Sequence, residues 1–264
     1  LLGLPSACPA FELKQACCGS SFALHLALSQ VACRPDKKVL IIAADIARYG
    51  LGSRGEPTQG AGAAAFLVSA DPALVAFDAA VGNYTEDVMD FWRPTWTDEA
   101  IVDGKTSIDA YLRALEHSWN GYREAGGRDL KELARICYHL PFSRMAAKAQ
   151  RHLNTIASSE ASASTRCPRS EQDEDGKLEG TLNYNRLIGN TYTASLYISL
   201  QSLLESTDTD LSGSHLGFFS FGSGCTAAFF SGTIKDGYRD CLDADFHRNM
   251  LADRTVLDYD GYEE

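Results

Sequence analysis

Cysteine pairs at metal or redox spacing are missing from this chain. Its eight cysteines (Cys8, Cys17, Cys18, Cys33, Cys137, Cys167, Cys225 and Cys241) form no CxxC pair and no Cys/His array with zinc spacing. Spread over 264 residues, they fit a reducing cytoplasm better than a disulfide framework. Positive charge is also scarce: 24 Lys and Arg face 35 Asp and Glu, a formal net charge of −11. That balance excludes a general binder of nucleic acid or anionic membrane, which needs a basic footprint. An anionic substrate would need a local basic patch. No run of about 18 apolar residues is read, so no membrane span is expected, and no secretory signal is visible. Short-period repeats are absent too. What is present is ordinary for a globular protein, 45% apolar and 22% charged, with length enough for one large domain or two halves.

The most informative stretch runs from Phe11 to Phe22. An extended segment passes through Cys17-Cys18-Gly19-Ser20-Ser21 into an Ala/Leu-rich run that reads as a buried helix over residues 21–32. Unpaired N–H groups and the macrodipole favour an anion at a helix N-terminus, so Cys17 is expected to be a nucleophile with a lowered thiol pKa. The alternative is that Cys17 and Cys18 are small core residues. Val39-Leu-Ile-Ile-Ala-Ala reads as a buried parallel strand with Asp45 and Tyr49 at its C-terminal end, and the run from Gly60 as another strand.

Further on, helices are predicted over 107–122, 129–134, 144–153, 192–205 and 236–256, and strands over 135–139, 215–221 and 225–231. Residues 154–180, rich in Ser, Ala and Thr and then acidic, read as a mobile surface insertion. Polar groups fall at element ends or in Gly-rich turns at Cys17, Asp45, Tyr49, Asp90, His139, Asn190 and Ser223. A thiol nucleophile needs an imidazole or a positive helix end nearby, and the carbonyl it attacks needs N–H donors from a turn such as Gly222-Ser223-Gly224. Taken singly, His139 also reads as a structural histidine, Asp45 and Asp90 as caps or turn formers, and Asn190 as a helix cap. Arg144 and Lys148, four apart, share one helix face. His25 reads as core, and His117, His152 and His247 as solvated.

Nine blocks then follow one another over essentially the whole chain: Gln15-Ala-Cys17, Asp45-Ile-Ala-Arg-Tyr49, Gly55-Glu-Pro-Thr-Gln-Gly-Ala-Gly62, Tyr84-Thr-Glu-Asp-Val, Asp90-Phe-Trp-Arg-Pro, Val102-Asp-Gly-Lys, His139-Leu-Pro-Phe, Tyr184-Asn-Arg-Leu-Ile-Gly-Asn190-Thr-Tyr-Thr and Phe219-Ser-Phe-Gly-Ser-Gly224. In these blocks the sequence resembles bacterial hydroxymethylglutaryl-CoA synthase, of the thiolase superfamily. The resemblance implies an α/β fold, thiolase-like and layered αβαβα in two related halves. Residues 1–128 would be the remainder of the first half and 129–264 the second.

The activity implied is that of an acyl-CoA condensing enzyme making 3-hydroxy-3-methylglutaryl-CoA for the mevalonate route. Cys17 resembles the nucleophile that takes acetyl from acetyl-CoA. His139 resembles the group that positions and polarises acetoacetyl-CoA, with Asn190 beside it. Gly222 and Ser223, with the Cys17 N–H, resemble the oxyanion site, and Asp45, Tyr49 and Asp90 match polar active-site positions. Arg144 and Lys148 match basic residues near the CoA phosphates and pantetheine arm. No metal or redox cofactor is implied; coenzyme A thioesters enter as substrates.

Three departures stand out. Cys18 replaces an aromatic residue and Gly19-Ser20-Ser21 a small-small-Thr run, and residues 154–180 are longer than in simpler members. The family also carries a segment before the equivalent of Leu1, with its first strands and the glutamate that acts as general acid/base. A group of that kind is worth ~10²–10⁴ in rate, so this chain alone is expected to be a poor condensing catalyst with uncovered core faces. A second polypeptide supplying that segment is the expected partner, alongside a dimer-based homo-oligomer. Two other readings compete: a polyketide β-branching synthase acting on acetoacetyl-acyl carrier protein, and a non-catalytic scaffold subunit. Retention of Cys17, His139 and Asn190 argues against the scaffold.

Overall fold

The computed structural model describes residues 3–97, 100–161 and 176–263. Helix α1 (Gly19–Cys33) has no Asp, Glu, Lys or Arg and buries Ser20, Ser21, Leu24, Ala27 and Val31. β1 (Val39–Ala47) and β2 (Gly60–Val68) pair antiparallel, from Val39 opposite Val68 to Ala47 opposite Gly60. Ile41, Ala43 and Ala47 point inward while Leu40, Ile42 and Ile46 stay exposed, the alternation that a pleated strand imposes. β3 (Val75–Thr85) and the short pair β4 (Phe91–Trp92) and β5 (Ile101–Val102) lead into α2 (Gly104–Glu124), capped by Asp103, whose carboxylate accepts from the N–H groups of Lys105 and Thr106. Then come β6 (Leu133–Tyr138), α3 (Arg144–Ala161), α4 (Asn183–Ile188) and α5 (Ser195–Ser206). The hairpin of β7 (His215–Gly222) and β8 (Thr226–Ile234) is followed by α6 (Ala244–Ala252) and α7 (Tyr259–Glu263).

The central sheet has the order β3-β8-β7-β6, parallel only between β6 and β7. Its aromatic residues alternate between two cores. Phe219, Phe221 and Phe229 face Tyr111, Trp119 and Tyr122 of α2 and Met145 and Leu153 of α3. Phe218 and Phe230 face Leu24 and Val31 of α1 and Leu196, Tyr197 and Leu203 of α5. Helices therefore cover both faces of the sheet. Gly82 on β3 is where α2 comes closest: a Cβ there would fall 1.9 Å from the Ser118 carbonyl oxygen and 2.2 Å from the Tyr122 nitrogen.

Several expectations need correction. The run from Val39 is a strand, but it is antiparallel and half exposed, and Asp45 lies inside it rather than beyond its end. Residues 129–134 form no helix. Asp129 and Glu132 close a capping box around one 3-10 turn, Leu130–Glu132, and the chain enters β6 at Leu133. The helix expected from 192 starts at Ser195, because Tyr192 has a left-handed backbone (φ 44°) and Tyr192–Ala194 is a 3-10 turn.

Residues 154–161 are not part of a surface insertion. α3 continues to Ala161 because Leu153 and Ile156 extend its buried stripe, and Leu178 and Leu182 return to the same core. Residues 162–175 of that expectation lie outside the described residues. Over 236–256, the helix starts only at Ala244, where the Asp243 carboxylate caps the Phe246 N–H. His247 is not solvated but lies with Nδ1 2.9 Å from Glu205 Oε1. Contrary to the apolar-run reading, Ala16–Cys33 is long and apolar enough to cross a membrane; here it contains α1, whose Leu24 and Ala27 are sealed in the core. β3 and α2, which precede residue 128, share the central sheet and its core with elements that follow it, so that boundary does not separate two sheets.

Candidate active site

The chain reaches Cys17 through a strained turn. Ala16 has a left-handed backbone (φ 42°), a conformation that costs a residue with a side chain roughly 1–2 kcal/mol. The Cys18 N–H then bonds back to the Gln15 carbonyl at 3.0 Å, and α1 begins at Gly19. Gly222, at the end of β7, props this turn from behind. A Cβ there would meet the Gln15 oxygen at 2.7 Å and the Cys18 nitrogen at 3.0 Å, so only glycine lets the two backbones touch.

Cys17 is nearly buried, at 9% exposure. Its thiol titrates in the direction opposite to the one expected: burial, then the Asp45 carboxylate, Cys18 and the Asp90 carboxylate push it up. The helix end does not counter this. The Gly19 N–H bonds the Ala16 carbonyl, and the Ser20 N–H is taken by Thr193 Oγ1 at 2.8 Å. Cys18 is an inert neighbour, its thiol pushed up to about 12 by burial.

The segment Asn190–Ser195 is the hub that gathers the other groups. Thr193 holds the start of α1 from two sides, since the Ser20 hydroxyl also donates to the Thr193 carbonyl at 2.6 Å. The Thr193 N–H donates to Asp45 Oδ2 at 3.3 Å, and burial raises the Asp45 carboxyl. Asn190 donates its N–H to the Thr58 carbonyl at 3.0 Å, and its Oδ1 accepts from the Tyr192 N–H at 2.9 Å.

Tyr49 sits against this hub beside Tyr192 and Asn190, and burial raises its phenol. Its ring, Phe91 and Tyr192 form an aromatic wall, with centroids 6.0 Å and 6.2 Å from Phe91. Ser195 reaches His139, whose Nδ1 is 2.7 Å from Ser195 Oγ. The Leu140 N–H donates to that same oxygen at 3.1 Å, so Ser195 Oγ holds the His139 ring against the start of α5. Burial pushes the His139 pKa down to about 3. Such a ring is a neutral hydrogen-bonding group, not a cation at neutral pH.

The hub thus brings together Cys17, Asp45, Tyr49, His139 and Asn190. Asp90 has a different role from the others. It is fully buried, accepts from the Gly224 N–H at 2.9 Å and the Ser107 hydroxyl at 3.0 Å, and so ties the Gly222-Ser223-Gly224 turn to the start of α2. Gly222 supports the nucleophile turn and Ser223 is half-buried beside it. Arg144 and Lys148 lie on the first turns of α3, beyond His139. Arg144 lines a cavity of about 300 Å³ with Ser143, Asn183 and Arg186, and Lys148 lies over the Phe142 ring. A second cavity, of about 360 Å³, flanks the Cys17 turn along Leu13, Gln15, Gly19 and Phe22. Sequence reasoning missed Ala16, Tyr192, Thr193 and Ser195. Tyr192 and Thr193 stood inside a matched block, but Ser195 looked like an ordinary residue of the helix expected from 192.

A family model described as hydroxymethylglutaryl-coenzyme A synthase C terminal matches residues 75–166 and 157–264. The chain is 39% identical over 263 residues to hydroxymethylglutaryl-CoA synthase of Enterococcus faecalis, covering all of this chain and 66% of that relative. It is 34% identical over 248 residues to the polyketide biosynthesis 3-hydroxy-3-methylglutaryl-ACP synthase PksG of Bacillus subtilis, covering 88% and 57%. Among solved structures, MvaS in complex with 3-hydroxy-3-methylglutaryl coenzyme A superposes with a TM-score of 0.93 at 37% identity, over 99% of this chain and 68% of that one. The chain therefore spans about two thirds or less of these two curated relatives. The mixed α/β arrangement is the thiolase-like one of those structures.

Proposed function

The chain belongs to the hydroxymethylglutaryl-CoA synthase family, and from that membership we propose that its site condenses acetyl-CoA with acetoacetyl-CoA. The Cys17 sulfur attacks the acetyl carbonyl, the C–S bond to coenzyme A breaks, and the departing thiolate takes up the thiol proton. The acetyl-enzyme methyl group then loses a proton to a carboxylate, and the resulting carbanion adds to the ketone carbon of acetoacetyl-CoA. The new alkoxide is protonated, and water cleaves the Cys17 thioester to release 3-hydroxy-3-methylglutaryl-CoA. We place the proton-abstracting glutamate in the part of the relatives that this chain does not span, on the same or a second polypeptide.

The observation that carries this reading is the Asn190–Ser195 hub, which joins the start of the Cys17 helix through Ser20, Asp45 through the Thr193 N–H, and a neutral His139 through Ser195 Oγ. A neutral imidazole can donate a hydrogen bond to an acceptor ketone without protonating it. A rise in the Cys17 pKa suits a thiol that stays protonated until a thioester arrives.

A second reading keeps the chemistry and changes the acceptor, favoured by the 34% identity to PksG, whose name specifies an ACP-linked product. The two are separated by turnover of the complete enzyme with free acetoacetyl-CoA and with acetoacetyl-acyl carrier protein. A clear preference for the free thioester is expected; turnover with the carrier-bound acceptor alone contradicts it.

A further inference from the structure

The C-terminal arm reaches the aromatic wall from behind. α6 is fastened to α5, with His247 Nδ1 2.9 Å from Glu205 Oε1 and the same ring 2.9 Å from Gln201 Nε2. Arg254 Nη1 then donates to the Leu187 carbonyl at 2.7 Å, and α7 sets Tyr262 against the turn at 56–59. The Tyr262 hydroxyl accepts from Gln59 Nε2 at 2.6 Å and donates to Glu56 Oε1 at 3.0 Å. On its other side, Gln59 Oε1 accepts from the Tyr49 N–H at 2.7 Å.

These bonds determine one another. A backbone N–H can only donate, so the Gln59 oxygen must face Tyr49 and its amino group must face Tyr262. The Glu56 carboxylate can only accept, so the Tyr262 proton points at it and the Tyr262 lone pair is left for Gln59. The turn has little room to adjust otherwise. A Cβ on Gly189 would fall 1.9 Å from the Gln59 carbonyl oxygen, and one on Gly60 would fall 2.6 Å from that of Asn190. Backbone contact thus links the 59–60 turn to the 188–190 turn, and the Asn190 N–H adds its bond to Thr58.

We propose that Tyr262 is a positioning residue for Tyr49: its hydroxyl orients the Gln59 amide, which holds the Tyr49 backbone and so sets the phenol against Tyr192 and Asn190. Tyr262 acts through Gln59, and the effect on turnover rests on the reading of the site given above. Nothing in the sequence marks this residue, since Tyr262 and Gln59 are joined only by the fold.

The test uses the complete enzyme with Tyr262→Phe, Tyr49→Phe and the double variant, and ¹⁵N-tyrosine labelling to follow the Tyr49 amide. Tyr262→Phe is expected to move the Tyr49 amide resonance upfield and speed its hydrogen exchange. It should also lower kcat about three- to tenfold with KM for acetyl-CoA little changed, the range set by loss of one orienting hydrogen bond. In the Tyr49→Phe background the further loss should vanish. Gln59→Met, which removes both bonds at once, should reproduce the effect and leave Tyr262→Phe nothing to add. An unmoved Tyr49 amide overturns the proposal, as does an equal loss of kcat with and without the Tyr49 hydroxyl. A wild-type enzyme that forms no product overturns the function reading instead, while the amide resonance still reports on the Tyr262 link.

Discussion

His139 shows how burial and one neighbouring hydroxyl hold a side chain. Ser195 Oγ lies 2.7 Å from Nδ1 and accepts from the Leu140 N–H at 3.1 Å, so the ring is held against the start of α5. Ser195→Ala removes that hold and strands the buried Leu140 N–H. The expected result is a condensation rate lower by about tenfold, with a stability loss of about 1–3 kcal/mol. Steady-state rates and denaturant unfolding check it; an unchanged rate contradicts a positioning role for Ser195. Because burial holds His139 neutral down to about pH 3, an inflection near pH 6.5 in the rate profile is not expected from this ring. Cys17, His139 and Asn190 were legible as residues because they sit in distinctive blocks. Ser195 was not, because a serine on a helix carries no sign of a partner 56 positions away. The direction of the Cys17 shift was also illegible: it depends first on burial of the sulfur and then on Asp45, Cys18 and Asp90, an environment that only the fold delivers.

Among the elements, strong apolar runs marked where helices and strands lie, but not their boundaries, nor the antiparallel pairing of the run from Val39. β7 and β8 carry runs of phenylalanine that demand two buried faces, and both are central strands. The 3-10 turn at Tyr192–Ala194 was invisible, since a left-handed tyrosine is not written in local composition. That irregularity matters most for function: a helix running straight from 192 would not present Thr193 to Ser20 and Asp45 and Ser195 to His139. α2 depends on a different local feature, the bare backbone of Gly82. Gly82→Ala places a methyl carbon inside contact distance of two backbone atoms of α2, which neither element can vacate alone. Loss of about 3 kcal/mol or more is expected in denaturant unfolding, the upper range for overpacking. A substitution that leaves the midpoint unchanged contradicts the packing described.

At the scale of the molecule, one sheet with helices on both faces carries the site at the junction of α1, the 56–60 turn and the 190–195 turn. The α/β class was legible from the alternation of apolar strands and helices, and the layered thiolase-like arrangement and the family only from the resemblance carried by the ordered blocks. The joining of β3 to β8 was not legible, because antiparallel partners 149 positions apart at Val81 and Phe230 leave hardly any local trace, only a shared preference for β-branched and aromatic residues. Under the function proposed above, this arrangement lets the Cys17 sulfur carry an acyl group. The most direct test of that claim is peptide mapping by mass spectrometry of the complete enzyme after brief exposure to acetyl-CoA. An acetyl group on the peptide containing Cys17, absent in Cys17→Ala and discharged on adding acetoacetyl-CoA, is the predicted result. An acetyl group on another cysteine, or persisting unchanged in Cys17→Ala, would contradict it.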